Sequence, residues 1–282
     1  MQVTEILTDH TLMALELRGT PEEPIRFYLD IMDQFDRAGI RWHWHPEVEF
    51  NVITRGRMEY YVENEHFTLS AGQGIFKNAN ILHMAQPARE TPDAQMFSTI
   101  LDPAFIAPVQ SVIYRKYVAP FLGSQGLRSL VFSPEVPWQR DCLDALRRAY
   151  DLSQTEAGAY ELHIHRLLCQ VWQAMAEHAR ELPRHDRTPG ERTDQVRAKQ
   201  MMVFLQTHFR EKLTLDQVAA ALLRGGPAGF AVEKWTMGET AFDQDSGMFW
   251  GKLQAVCRGT LTEDREETGE ILGIEVKGEI AL

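Results

Sequence analysis

The hydrophobic period changes once along this chain, near Asp102, and that change limits the fold more than any single motif does. Up to Asp102 apolar residues alternate in short runs: FNVIT (50–54), MEYYVEN (58–64), HFTLS (66–70), GIFK (74–77) and QMFSTIL (95–101). Alternation with period two over four to eight residues predicts strands, and their regular spacing predicts an all-β barrel or sandwich. Thr54-Arg55-Gly56 and Glu63-Asn64-Glu65 read as hairpin tips, and Ser70 to Gly74 as a longer turn. Beyond Asp102 the spacing is helical. Phe105, Ile106, Val109, Val112, Ile113 and Tyr117 predict a helix over 103–122, and Leu143, Leu146 and Tyr150 one over 137–153. Leu162, Leu167, Val171, Met175 and His178 predict a third over 160–182. The expected class is therefore α+β, with a β domain over 1–102 and a helical region over 103–182. Helices carrying residues as large as Trp172 bury that face on the β domain or against a second copy of the chain.

The segment 183–192 is rich in Pro, Gly and charge without periodicity, which marks a linker. A helical stretch follows over 194–209, and then a capping signal. Thr214 and Gln217 can each satisfy the other's neighbouring backbone N–H, opening a short Ala-rich helix over 215–223. A long helix, a short turn and an Ala-rich helix is how a helix-turn-helix begins, here over 192–223. Arg192, Arg197, Lys199, Arg210 and Lys212 outnumber Asp194, Glu211 and Asp216 there, a modest surface for phosphate. Arg210, Lys212, Thr214 and Gln217 are its candidate DNA contacts. After Leu223 the pattern stops. Residues 224–229 are Arg-Gly-Gly-Pro-Ala-Gly, and 224–282 form an atypical tail with six basic residues against eleven acidic ones. An acidic, glycine-studded tail opposes insertion into a major groove, so DNA binding by this chain is expected to be weak. A shifted reading frame in the gene or a tail with its own small fold would each account for it, the alternating 271–282 then serving as a strand.

The densest chemistry lies in RWHWHPEVEF (41–50). Residues two apart on a strand share a face, so His43 and His45 point into one space and Glu49 rejoins them after Pro46. His83 closes a later strand. Three imidazoles and a carboxylate converging in a barrel suit a divalent metal; equally, they can line a small-molecule pocket and bond to one another. Arg41, in phase with the two histidines, is a candidate partner for an acidic or sugar-like effector, while Trp42 and Trp44 on the opposite face read as core aromatics. His163 and His165, two apart on a helix, do not share a face.

His43-x-His45-x3-Glu49-x6-Gly56 resembles the first cupin motif, and Gly72-x10-His83 the second, with Asn78 and Asn80 where that pattern has Pro and Gly. The order of elements, together with YRKYVAP (114–120) and LTLDQVAAAL (213–222), is similar to an AraC-type transcription regulator. The resemblance implies a cupin-like barrel that binds a small-molecule effector, a sugar or organic acid, at Arg41, His43, His45, Glu49 and His83. It also implies a helical linker that mediates dimerisation and a helix-turn-helix that binds DNA. No cofactor is expected beyond a divalent metal at His43, His45, Glu49 and His83. The alternative is a metal-dependent cupin enzyme acting on a sugar or small organic acid.

Composition narrows the setting. With 282 residues, 44% hydrophobic, the chain has globular composition. Forty acidic against 29 basic residues, a net charge of −11, argues against a protein that coats nucleic acid without specificity. Cys142, Cys169 and Cys257 are too few and scattered for a disulfide framework. No basic start leads into an apolar run and no stretch is long enough to span a membrane, so a cytoplasmic setting is expected.

Overall fold

The computed structural model describes residues 6–182, apart from 10, 16–23, 36–38, 64, 123–126, 157 and 180, together with three strands within 230–279. The chain divides into two compact units, Met1–Arg187 and Thr188–Leu282.

The first unit is built on two antiparallel sheets. One contains β1 (Ile25–Ile31), β8 (Gln95–Leu101), β3 (Val48–Arg55), β6 (Gly74–Lys77) and β9 (Ser129–Phe132), in that order. The other runs β2 (Ile40–His43), β7 (His83–Pro87), β4 (Arg57–Val62) and β5 (Glu65–Ser70). Strand alternation sorts the side chains. Ile53, Ile75 and Met96 of the first sheet meet Met58, Tyr60, Val62 and Ala85 of the second, forming the barrel interior. Val48, Phe50, Val52, Phe76 and Phe97 leave the opposite face of the first sheet and join the helices.

Those helices are α2 (Pro137–Thr155) and α3 (Tyr160–Glu177). Pro137 presets the first turn of α2, and Glu156 ends it at φ 45. From α3, Ile164, Leu167, Leu168, Val171, Trp172 and Met175 are buried. Trp172 is the anchor: its ring lies 6.2 Å from Phe76 and 5.7 Å from Phe121, and Nε1 donates to the Tyr117 carbonyl at 2.7 Å. The helices thus cover the outer face of the five-stranded sheet.

The structure corrects several expectations. Thr54-Arg55-Gly56 is not a hairpin tip, because β3 and β4 belong to different sheets. Gly56 carries the chain from one to the other at φ +72, where an added Cβ would meet Ala94 and Thr91 at 3.1 Å. Glu63–Glu65 does close a hairpin, β4 with β5. The helix over 103–122 is not continuous. Asp102 caps a single turn at Pro103–Phe105, and helix resumes only from Val112, passing through a π turn at Tyr114–Val118 into α1 (Ala119–Leu122). Pro108, which lacks the donor a continuous helix needs, lies in the break. Val109 in the break, and Val112, Ile113 and Tyr117 on the resumed helix, are exposed, as is Leu162, which falls outside the buried face of α3. Trp42 is buried as expected, whereas Trp44 is half-buried and donates Nε1 to the Thr11 carbonyl at 2.7 Å.

In the second unit β10 (Phe230–Asp243), β11 (Met248–Thr262) and β12 (Arg265–Glu279) pair antiparallel in sequence order. The strand anticipated from residue 271 onward is the end of β12. Arg210, Lys212, Thr214 and Gln217, with the whole of 192–223, lie outside the described residues. Among the described residues no helix is long and apolar enough to cross a membrane.

Candidate functional site

The four predicted ligand residues come together inside the barrel. The register of β2 with β7 sets His43 opposite His83, and that of β3 with β6 sets Glu49 opposite Lys77. One sheet thus contributes two imidazoles and the other a carboxylate and an ammonium. His45 enters from the connection between β2 and β3, held where its carbonyl accepts from Asn80 N–H at 2.8 Å. Asn80 sits at φ 62, so it adopts the left-handed conformation that favours the glycine of the cupin pattern. Asn78 takes the other substituted position and fixes the turn by donating Nδ2 to the carbonyls of Phe121 and Leu127.

His43, His45, Glu49 and His83 are all buried, and each offers one ligand atom within 4.8 Å of the others. The rings of His43 and His83 are 4.2 Å apart, and those of His45 and His83 5.2 Å. Each ring is oriented by the backbone: Nδ1 of His43, His45 and His83 lies 2.8, 3.1 and 2.8 Å from the carbonyls of Arg41, Glu47 and Ile81. A carbonyl only accepts, so Nδ1 carries the proton and Nε2 of a neutral ring presents a lone pair. Burial favours the neutral form, pushing His83 down to about 4 and His43 well below its ordinary value, with the neighbouring charges of Lys77 and the other imidazoles adding to the effect.

Glu49 ties the set together. Its Oε2 lies 3.1 Å from His45 Nε2, 3.2 Å from His83 Nε2 and 2.9 Å from Lys77 Nζ, while Oε1 accepts from Asn51 Nδ2 at 2.7 Å. Burial alone would raise its pKa; Lys77 and the contacts of His45 and His83 outweigh that and hold it well below the usual carboxylate range. Burial pushes Lys77 downward, opposed by Glu49.

The barrel of this unit is matched by the AraC-like ligand-binding domain family over residues 31–168. By this match, residues 31–168 are similar to an AraC-like ligand-binding domain. The chain is 29% identical over 213 residues to an uncharacterized HTH-type transcriptional regulator, YdeC of Bacillus subtilis (strain 168), covering 76% of this chain and 71% of that protein. Among solved structures, apo ToxT from Vibrio cholerae matches 75% of this chain and 73% of its own at 9% identity and a TM-score of 0.41. The AraC-like transcriptional activator CuxR matches 71% of this chain and 63% of its own at 9% identity, with a TM-score of 0.35.

The donor set of this domain fits a divalent cation. His83 Nε2 is buried without a hydrogen-bond partner although it stands 3.2 Å from Glu49 Oε2. With Nδ1 given to the Ile81 carbonyl, a neutral His83 turns its Nε2 lone pair toward the Glu49 oxygen, a nitrogen–oxygen pair that a divalent cation would satisfy. Three nitrogens whose other ring atom is pinned by a carbonyl, plus one carboxylate oxygen, are the arrangement a metal centre requires.

Arg41 does not join the site: it is exposed on β2, whose pairing with β7 is irregular between Ile40 and His43. His163 is exposed, and His165 instead lies 3.6 Å from Cys169 Sγ and edge-on to Phe105. Four residues of the site carried no motif. Beyond Lys77, a polar chain runs from Glu49 through Asn51 and Ser98 to Asp30: Asn51 Nδ2 reaches Ser98 Oγ at 2.6 Å, and Ser98 donates to Asp30 Oδ2. Burial pushes the Asp30 carboxyl up to about 7, partly offset by that donation. The signal available in the sequence was parity, since Asn51 and Glu49 are two apart on one strand, and Lys77 is the charged end of an apolar run.

Proposed function

We propose that this AraC-type chain is an effector-responsive transcription regulator whose barrel binds a small molecule, a sugar or organic acid, at His43, His45, Glu49 and His83. The observation that carries this reading is the convergence of three backbone-oriented imidazoles on one carboxylate oxygen inside a domain of the ligand-binding family. A divalent cation held by these four residues would act as a Lewis acid toward oxygen atoms of the effector. The chain's own contribution is orientation: carbonyls hold the rings, Asn51 holds Glu49, and the two sheets exclude water. Effector binding then favours one arrangement of the DNA-binding part over another, a population shift. The exposed apolar residues Val109, Val112, Ile113, Tyr117 and Leu162 supply surface for a homodimer. Residues 192–223 start the helix-turn-helix, and the acidic content beyond it supports weak DNA contact in the cytoplasm.

Titrating the protein with Mn(II) or Zn(II) and recording native mass tests the site. Binding of one ion, lost in His43→Ala/His45→Ala, is expected; equal binding by that variant would refute the assignment. For DNA, we expect no sequence-specific gel shift at physiological salt, and a tight specific shift would overturn that expectation. The intact His/His/Glu/His set also fits a metal-dependent cupin enzyme on a sugar or organic acid, which turnover by the metal-loaded protein would reveal.

A further inference from the structure

Lys77 is the one charged partner in the cluster that metal binding by itself does not require. Its ammonium is buried at 2% exposure and lies 2.9 Å from Glu49 Oε2. That is the oxygen facing His45 and His83, while Asn51 occupies Oε1. The carboxylate therefore turns one oxygen toward the imidazoles, and Lys77 already holds it. The Tyr60 ring, centred 5.5 Å from Nζ, forms part of the ammonium's surroundings. Glu49 and Lys77 are direct cross-strand neighbours, so the pairing is set by the register of β3 with β6 rather than by a flexible side-chain encounter.

Three histidines and a glutamate alone would leave a buried negative charge whenever the site is without metal, and an unpaired buried charge is strongly destabilising. We infer that Lys77 is the resident cation of the site: it neutralises Glu49 in the metal-free state and competes with a divalent ion for the same oxygen. The barrel thereby stays folded without metal and takes up metal reversibly. This rests on the metal-binding reading given above. An ion at the three nitrogens is within Coulomb range of both Glu49 and Lys77, so repulsion from the ammonium subtracts from the attraction of the carboxylate. For the regulator, the consequence is a site that responds to metal supply, or to an effector arriving with its metal, instead of one metallated permanently.

The experiment is a titration of the full chain with Mn(II), followed by chelator competition, for the wild type, Lys77→Gln and Lys77→Arg. Gln keeps a donor for Glu49 but removes the charge; Arg keeps the charge. Lys77→Gln is expected to bind Mn(II) about ten-fold tighter or more, the scale on which partners of metal ligands act, and Lys77→Arg no tighter than wild type. Thermal unfolding provides a second readout, with a larger rise in Tm on adding Mn(II) for Lys77→Gln than for wild type. Lys77→Met, which keeps the length of the side chain, serves the same titration if Lys77→Gln does not fold. Equal or weaker binding by the charge-free variants overturns the role of Lys77 alone. Failure of wild type and variants alike to bind Mn(II) or Zn(II) removes the metal reading and this inference with it.

Discussion

The two faces of β3 open onto different interiors. Val48, Phe50 and Val52 point outward into an apolar seam with Phe76, Phe132, Leu146 and Trp172. Between them, Glu49 and Asn51 point into the barrel, where buried partners include Lys77, His83 and Ser98. The seam is tolerant in kind but demanding in volume, because apolar packing is non-directional and dense. The barrel interior is the reverse: each polar atom there needs a specific partner, and losing one exposes the cost of the other.

Three substitutions sharpen this contrast. The largest effect is expected in the seam, where Trp172→Ala costs about 3–5 kcal/mol of unfolding free energy while leaving Mn(II) affinity intact; denaturant melts and metal titration on the same variant check both halves. In the barrel, Glu49→Gln leaves the Lys77 ammonium buried without its anion and costs about 3 kcal/mol, and it also abolishes metal binding. Adding Lys77→Met to that variant should recover most of the stability but none of the binding. If Glu49→Gln were as stable as wild type, the buried pair would not be a coupled unit.

A smaller effect is expected from Asp30, at the far end of the polar chain. Its carboxyl is raised from 3.8 to about 7 by burial, so the fold favours its protonated form. The stability this contributes is fully present below the unfolded value and is lost as pH rises through about 7. The Asp30 contribution should therefore decline from about pH 4 to pH 7, against the opposite contribution of His43 and His83, whose lowered values make stability rise over the same range. Asp30→Asn is thus expected to make unfolding free energy rise more steeply with pH than in wild type. An unchanged slope in Asp30→Asn would assign the pH dependence to other groups.

Much of the first unit was legible in the sequence. The runs at 50–54, 66–70, 74–77 and 95–101, and 58–62 of the run at 58–64, became strands, because alternation reports burial on one face directly. His43, His45, Glu49 and His83 were found by spacing alone and do converge. The failures share a cause. A Gly-containing tripeptide between two strands looks the same whether it folds them into a hairpin or sends the chain to a second sheet, and Gly56 does the latter. Periodicity over 103–122 reported apolar spacing, yet Pro108 interrupts the backbone hydrogen bonds that a helix needs. Arg41 had the parity of His43, but the irregular pairing of β2 separates them.

By itself, then, the sequence determined the α+β order, the strand positions and the identity of the four converging side chains, because each of these follows from local period and spacing. It also determined that the tail beyond Leu223 is acidic and glycine-rich. Only the tertiary structure decided which strands share a sheet, and with that the neighbours across each register. Lys77 met Glu49, and Ser98 met Asn51, through pairings between strands distant in the chain. The orientation of the imidazoles was likewise decided there, since the carbonyls that pin Nδ1 take their positions only once the backbone has been placed by the sheets around it.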